Sequence, residues 1–374
     1  DQQTISTSST FPKGEGIIIS SGGSIGGPNL CLQPIKNLTN SALSTGKWLK
    51  NYGLKPNECI ILNSLPLHHI SGFMPWWRHH TWRADYHWIS HSLMHKPSQL
   101  NQFTDALANK YRRPLITSLV PTQLLSLIND PDGLKWLQSF AVIWVGGALI
   151  PKDLADKARR KSINLAPCYG ATETVAMVTC LSPKDFLKGS NSVGFPLEDV
   201  EIKINKKNCL KIKTSRIAPS KWNNDKFESI TDTNGWWEAG DLAQYITLNK
   251  REAIQILGRR DSAINSGGET IFPEDIEMEL TKIIRKNQIP IKEIFVLGVS
   301  DEKWGQRLVV LTKFKEKGMN KYSIISLLNN HIEDWQPSKK PLKWYDCPTL
   351  SKNINKKWEI KKWQSWIAFN RPIN

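Results

Sequence analysis

The sequence predicts an α/β fold coupled to an α+β fold. A large N-terminal domain over residues 1–260 has mostly parallel sheets and a small β-rich subdomain, and it is hinged to a small C-terminal α+β domain over residues 261–374. Three observations carry this. Between residues 113 and 170, short apolar runs alternate with helical periods. From Val193 the texture changes to paired strands without intervening helices. Beyond residue 271 the order becomes helix, strand, strand, helix, strand, helix.

Taken in order, GIIIS (16–20) reads as a short buried strand, and SSGGSIGGPN (20–29) follows directly. Glycine and hydroxyl residues at this density suit a loop whose backbone N–H groups turn towards a phosphate, although a flexible connector has the same composition. The run does not fit G-x-x-x-x-G-K-[ST] and is not a Walker loop. A helix is expected from about Thr39 to Tyr52. Ile60–Leu62 then reads as a strand leading past Pro66 to a loop with His68 and His69. With no third ligand in view, that pair fits pocket lining or packing better than a metal site.

LITSLV (115–120), AVIWV (141–145) and INLAPC (163–168) read as strands, while PTQLLSLIN (121–129) and PKDLADKARRK (151–161) read as helices. Near-continuous apolar strands with helical crossovers imply a mostly parallel sheet covered by helices. Ligands of such sheets sit beyond the carboxyl ends of the strands. The loops to inspect are therefore 20–29, 65–72, 146–148 and 169–174. YGATET (169–174) is the most pointed. It offers a ring to stack on a base, two hydroxyls for phosphate oxygens, and the Glu173 carboxylate to hold Mg²⁺ beside them.

VEIKI (200–204) and CLKIKT (209–214) form a hairpin across Lys-Lys-Asn, and WWEAGDLAQYI (236–246) and EAIQIL (252–257) add two strands. Asp241 fits a carboxylate that accepts both ribose hydroxyls, and equally a buried ion pair or turn cap. GRRDSAINSGGETIFPEDIE (258–277) reads strand end, turn, glycine loop, and a helix opened by Pro273 with Glu274 and Asp275 in its first turn. It fits a swivel between two folded units or a hairpin running into a surface helix. Downstream, IFVLGV (294–299), LVVLTKF (308–314) and LKWYD (342–346) are strands, with helices at about 321–335 and at the Trp-rich C-terminus. LSKNINKKWEIKKW (350–363) is a basic loop whose lysines either reach a neighbouring cleft or are ordinary surface charge.

Composition bounds the partners. The 374 residues allow two or three domains, with 40% hydrophobic content. No run approaches the ~18 apolar residues of a membrane span. The first residues lack the basic start and apolar core of a secretory signal, and the missing Met suggests an incomplete N-terminus. Six cysteines without a C-x-x-C pair argue for reduced thiols in a cytoplasmic protein, against zinc or disulfides. The formal charge is +16, and residues 301–374 hold 15 Lys/Arg against 7 Asp/Glu. Without a nucleic-acid module, this charge fits attraction of anionic small molecules, or a solvated Lys-rich surface, better than nucleic-acid binding. The 16 tryptophans show no repeat.

In this order, the segments resemble the adenylate-forming acyl- and aryl-CoA ligase superfamily over nearly the whole chain. SSGGSIGGPN is similar to its phosphate loop and YGATET to its Tyr-Gly-x-Thr-Glu motif. GWWEAGD is similar to the ribose-binding Gly-Asp segment. Residues 258–277 resemble the Gly-Arg-x-Asp hinge with its Gly-Gly-Glu loop, and residues 350–363 the segment carrying the adenylation lysine. Within the superfamily, SLVPTQL, LPLHHISG and Lys357-Trp358-Glu359 look most like the o-succinylbenzoate–CoA ligases. The Trp-rich C-terminus resembles their cyanobacterial type, which implies phylloquinone. A related ligase for another aryl or fatty acid is the alternative.

The resemblance implies ATP, Mg²⁺ and coenzyme A, with an aryl carboxylic acid as the small-molecule substrate. Ser20, Ser21, Gly22, Gly23 and Ser24 would hold the β- and γ-phosphates, Thr172 the α-phosphate, and Glu173 the Mg²⁺. Tyr169 and Gly170 would lie near adenine with Gly147 and Ala148, and Asp241 and Arg259 would take the ribose hydroxyls. Lys357 would stabilise charge at the α-phosphate. Rotation about Asp261 would then bring Gly267 and Gly268 to the cleft for attack by the thiol of coenzyme A. His69 and Ser71 would lie near the acyl group or the pantetheine. The sequence departs from the pattern at Asn29, where lysine is usual, at Lys356, where glycine is usual, and at Ser351, where proline is common. Much of the usual N-terminal subdomain is absent. Homo-oligomerisation stays open.

Overall fold

The computed structural model describes residues 14–21, 29–223, 226–316, 318–352 and 358–373. The chain divides into two compact units, one running to residue 257 and the other from residue 258.

The first unit is built on a seven-stranded sheet. Its order is Asp85–Trp88, Ile60–Asn63, Leu115–Leu119, Val142–Val145, Leu165–Ala171, Ala176–Cys180 and Phe195–Pro196. The first five strands run parallel, and the last two add antiparallel. Ile60–Asn63 and Val142–Val145 are buried along their whole length, as apolar strands covered on both faces must be. One face packs on Leu124, Trp136 and Leu154 from the crossover helices and on Phe140 from the loop after the second of them. The other packs on Leu49, Trp82 and an antiparallel sheet of Glu201–Ile204, Cys209–Lys213, Trp237–Leu248 and Arg251–Arg259.

Two expectations change. Gly16–Ser21 is not a buried strand but the edge of a four-stranded antiparallel sheet with Asn29–Pro34, Ser220–Asn223 and Lys226–Ser229. Its residues alternate, with Ile18 41% exposed and Ile19 buried, because an antiparallel edge strand faces the core on one side only. The first helix spans Ile35–Asn51, starting four residues before the expected Thr39. Pro34, with its φ fixed at −59°, opens it, and the buried stripe Leu38, Ala42, Thr45, Leu49 sets its face.

The second unit pairs Ile291–Asp301 with Gly305–Phe314 antiparallel, and Lys343–Asp346 joins the latter in parallel. Helices Pro273–Lys286 and Lys321–His331 cover one face around Leu280, Val310 and Trp344, and Ile360–Ala368 covers the other through Trp363. Among the described residues, no helix is long and apolar enough to cross a membrane.

Candidate active site

The carboxyl ends of the parallel strands gather the first unit's candidate residues. Leu165–Ala171 runs straight into a 3₁₀ turn, Thr172–Thr174. Gly170 is compulsory there, because a Cβ would stand 1.8 Å from the Ala176 carbonyl oxygen. The turn leaves through Val175 and Ala176, both left-handed at φ +54° and +66°. A β-branched residue in that region is an outlier that surrounding contacts must enforce.

Thr172 and Glu173 are half-buried. Among the described residues, no hydrogen bond or ion pair engages the Glu173 carboxylate. Tyr169 uses its ring differently from a simple stacking platform: its hydroxyl donates to Asp241 Oδ2 at 2.5 Å. Two residues 72 positions apart, both expected at the nucleotide, are thereby joined. Gly146-Gly147-Ala148 follows the buried Val142–Val145 strand, with Gly147 at φ +80° and both Gly147 and Ala148 exposed.

His69 caps the helix Ile70–Trp82. His69 and Ser71 are exposed, and the His68 and His69 rings stand 4.2 Å apart. Gly72 permits this corner, since a Cβ there would meet the Pro66 carbonyl oxygen at 2.2 Å. Along the same helix lies a residue the sequence reading passed over. Arg78 is 3% exposed, with its guanidinium over the Trp144 ring at 5.1 Å and Nη2 donating to Thr45 Oγ1 at 3.4 Å. Its Nε has no hydrogen-bond partner among the described residues. Burial pushes the guanidinium down to about 10, and the same surroundings push the Cys168 thiol up to about 12. A buried cation with an unanswered donor is costly, and an anion that reached it would offset that cost.

Of the phosphate-loop expectations, Ser20 is half-buried at the end of the Gly16–Ser21 strand, which pairs it with Leu30. Gly22, Gly23 and Ser24 lie outside the described residues, as do the side chains of Ser21 and Asn29. Lys356 and Lys357 also lie outside them.

In the second unit, Arg259 and Asp261 form a two-pronged ion pair, Nε to Oδ1 at 3.0 Å and Nη2 to Oδ2 at 3.1 Å. The expected glycine loop is the two-residue turn of a hairpin, Ile264–Ser266 with Glu269–Ile271. Gly267 and Gly268 sit at φ +62° and +87°, the paired positive values that such a turn demands. A Cβ on Gly267 would strike the Trp304 ring at 2.5 Å, whereas Gly268 faces open space. The swivel and hairpin readings of this stretch are thus compatible: the hairpin is real and runs into the helix opened by Pro273.

A parallel sheet with a Tyr-Gly-x-Thr-Glu turn at its carboxyl edge, a Tyr-bound aspartate and a separate small α+β unit defines the adenylate-forming class of fold. A family model for AMP-binding enzymes matches residues 16–213, and the chain belongs to that family. It is 28% identical over 309 residues to the 2-succinylbenzoate–CoA ligase of Salmonella typhimurium, covering 83% of this chain and 60% of that protein. It is also 28% identical over 294 residues to the ligase of the same name from Bacillus subtilis, covering 76% of this chain and 56% of that protein. The chain thus spans about 60% of the length of the curated relatives it matches. Among solved structures, the o-succinylbenzoate CoA synthetase of Bacillus subtilis in complex with its acyl-adenylate superposes with a TM-score of 0.73. That match has 24% identity over 93% of this chain and 68% of that one. The same enzyme with ATP and magnesium ion gives 0.71 at 23% identity, over 93% of this chain and 69% of that one. These likenesses show the fold.

Proposed function

We propose that the chain carries an ATP-dependent acid–CoA ligase activity that converts o-succinylbenzoate to its acyl-adenylate and then to the thioester of coenzyme A. The setting would be the cytoplasm, in the synthesis of menaquinone or phylloquinone. The observation that carries the reading is the Thr172–Thr174 turn, which presents the Thr172 hydroxyl and a carboxylate with no partner among the described residues, beside the Tyr169–Asp241 pair. The names of the curated relatives support the acid.

In the first half-reaction, a substrate carboxylate oxygen bonds to the α-phosphorus of ATP as the bond to pyrophosphate breaks. Ser20, Ser21, Gly22, Gly23 and Ser24 hold the departing phosphates, Thr172 meets the α-phosphate, and Lys357 offsets its charge. Tyr169, Gly170, Gly147 and Ala148 take the adenine side. Asp241 and Arg259 receive the ribose. The donor set suits Mg²⁺: among the described residues no group of three or more His, Cys, Asp or Glu could hold a metal by itself, and Mg²⁺ commonly takes one or two carboxylates plus substrate phosphates. Bound through Glu173, the ion would neutralise phosphate charge. In the second half-reaction the unit beyond Asp261 turns, and Gly267 and Gly268 approach the adenylate. The sulfur of coenzyme A bonds to the acyl carbon, AMP leaves, and the thiol proton passes to solvent. His69 and Ser71 border the acyl group. Arg78 supplies the cation that the second carboxylate of a succinylbenzoate needs in an apolar setting.

A panel of aryl and fatty acids assayed for AMP formation, with and without coenzyme A, tests this. Turnover dependent on o-succinylbenzoate is expected. Turnover with another acid alone would move the substrate, and nucleotide-independent behaviour with every acid would remove the ligase reading.

A further inference from the structure

The strained turn that carries Thr172 and Glu173 is gripped at successive backbone carbonyls by buried groups from elsewhere in the first unit. Gln33 Nε2 donates to the Thr172 carbonyl at 2.8 Å and to the Glu173 carbonyl at 3.2 Å. The Glu173 carbonyl also accepts from the Ala218 N–H at 2.7 Å. Arg216 Nη1 donates to the Thr174 carbonyl at 3.0 Å, and Ser41 Oγ to the Val175 carbonyl at 2.7 Å. The Thr174 hydroxyl stands 2.9 Å from the Ala176 carbonyl. Gln33, Ser41, Arg216 and Thr174 are each 0% exposed.

These donors are themselves fixed. Gln33 Oε1 accepts from Asn37 Nδ2 at 3.2 Å, and that amide also reaches the Ile217 carbonyl at 3.2 Å. Arg216 is locked by Asp199, with Nε to Oδ2 at 2.5 Å and Nη2 to Oδ1 at 3.3 Å. Burial alone would raise the Asp199 carboxyl, but Arg216 and the Ser44 hydroxyl hold it below its ordinary value. Arg216 Nη1 also donates to the Met177 carbonyl at 3.0 Å, at the start of the strand that leaves the turn. These side chains spend buried hydrogen bonds on a five-residue turn whose backbone is unfavourable at Val175 and Ala176.

We propose that Gln33, Ser41 and Arg216 are positioning residues that pre-set the Thr172–Ala176 backbone, so that the Glu173 carboxylate and Thr172 hydroxyl meet magnesium-bound nucleotide without reorganising. With every turn carbonyl already accepting a hydrogen bond, the Glu173 carboxylate is the turn's charged oxygen donor for the cation. This rests on the nucleotide site of the proposed function. A site held loosely by about 1 Å loses most of its advantage, so the effect falls on recognition of the cation–phosphate unit rather than on the fold.

The test compares equilibrium binding of MgATP with binding of ATP in excess chelator, on the full chain. Gln33→Met keeps the shape without the donors, Gln33→Glu places carboxylate oxygens against two carbonyls, and Ser41→Ala removes a single donor. Gln33→Met is expected to weaken MgATP about tenfold and leave magnesium-free ATP within about twofold, with Ser41→Ala in the same direction and Gln33→Glu worse than Gln33→Met. Hydrogen exchange of the 172–177 amides should quicken in parallel. The proposal is overturned by an unchanged MgATP-to-ATP ratio in Gln33→Met and Ser41→Ala, by equal loss of both ligands, or by a wild-type protein with no preference for MgATP. Should Gln33→Met fail to fold, Ser41→Ala decides. A wild-type protein that prefers MgATP yet turns over no acid counts against the ligase reading alone.

Discussion

The Tyr169 hydroxyl donates to the Asp241 carboxylate across 2.5 Å, tying the end of the central parallel sheet to the long Trp237–Leu248 strand of the antiparallel one. The contact fixes the orientation of the Asp241 carboxylate. Tyr169→Phe should therefore raise the KM for ATP about tenfold with little change in kcat, since a hydrogen bond to a charged group contributes ~1.5–3 kcal/mol and this one is only partly buried. Steady-state kinetics check it. Asp241→Asn combined with Tyr169→Phe should be less than additive, because both remove the same pair.

Arg78 provides a substrate test. Replacing it with Met should lower kcat/KM for o-succinylbenzoate by ~10–100-fold and affect a benzoate lacking the second carboxylate far less. Equal loss with both acids would assign Arg78 to packing between Trp82 and Trp144.

The second unit should carry a pH signature at Glu277. Its Oε1 accepts from the Trp358 indole N–H and its Oε2 from the Val296 N–H, both at 3.2 Å. Burial nevertheless pushes the carboxyl up to about 7, opposed by those donors and Lys352 and reinforced by Glu274. A carboxyl raised on folding favours the folded state most when protonated. Its contribution, at most about 3 kcal/mol, is present below about pH 4.5 and lost as pH rises through about 7. Denaturant midpoints between pH 5 and 8 should fall less steeply for Glu277→Gln than for wild type.

Two further substitutions separate the half-reactions. Lys357→Ala should cut pyrophosphate exchange by at least ~10²-fold while leaving thioester formation from preformed adenylate nearly intact. If exchange survives and Lys356→Ala abolishes it, the acting lysine is Lys356.

Gly268→Val meets open space but occupies φ +87°, a backbone region costing a branched residue about 1–3 kcal/mol. Thioester formation should drop about tenfold with adenylation within about threefold, as measured on isolated half-reactions.

Much of this molecule could be read along the chain. The parallel strands at Leu115–Leu119 and Val142–Val145 announce themselves as unbroken apolar runs, and the helices between them by their periodicity. Short polar strands were less legible. Ser220–Asn223 and Lys226–Ser229 carry too few apolar residues to signal pairing, and Asn29–Pro34 hides behind its proline. Arg78 escaped notice because a lone arginine after two tryptophans reads as surface; only its 3% exposure sets it apart.

What the sequence determined by itself is the chemistry on offer: a Tyr-Gly-x-Thr-Glu turn at a strand end, an aspartate in Gly-Asp-Leu, and paired glycines before a proline-led helix. Local chain stiffness and side-chain type are enough to specify these. The tertiary structure alone decided how the chemistry is held. Gln33 reaches Thr172 across 139 positions and Arg216 reaches Thr174 across 42, contacts with no local trace because hydrogen bonding to a carbonyl requires proximity, not sequence pattern. Apart from Arg78, the residues proposed to act could be named from the chain; the buried donors that hold the Thr172–Ala176 turn became visible only when it folded.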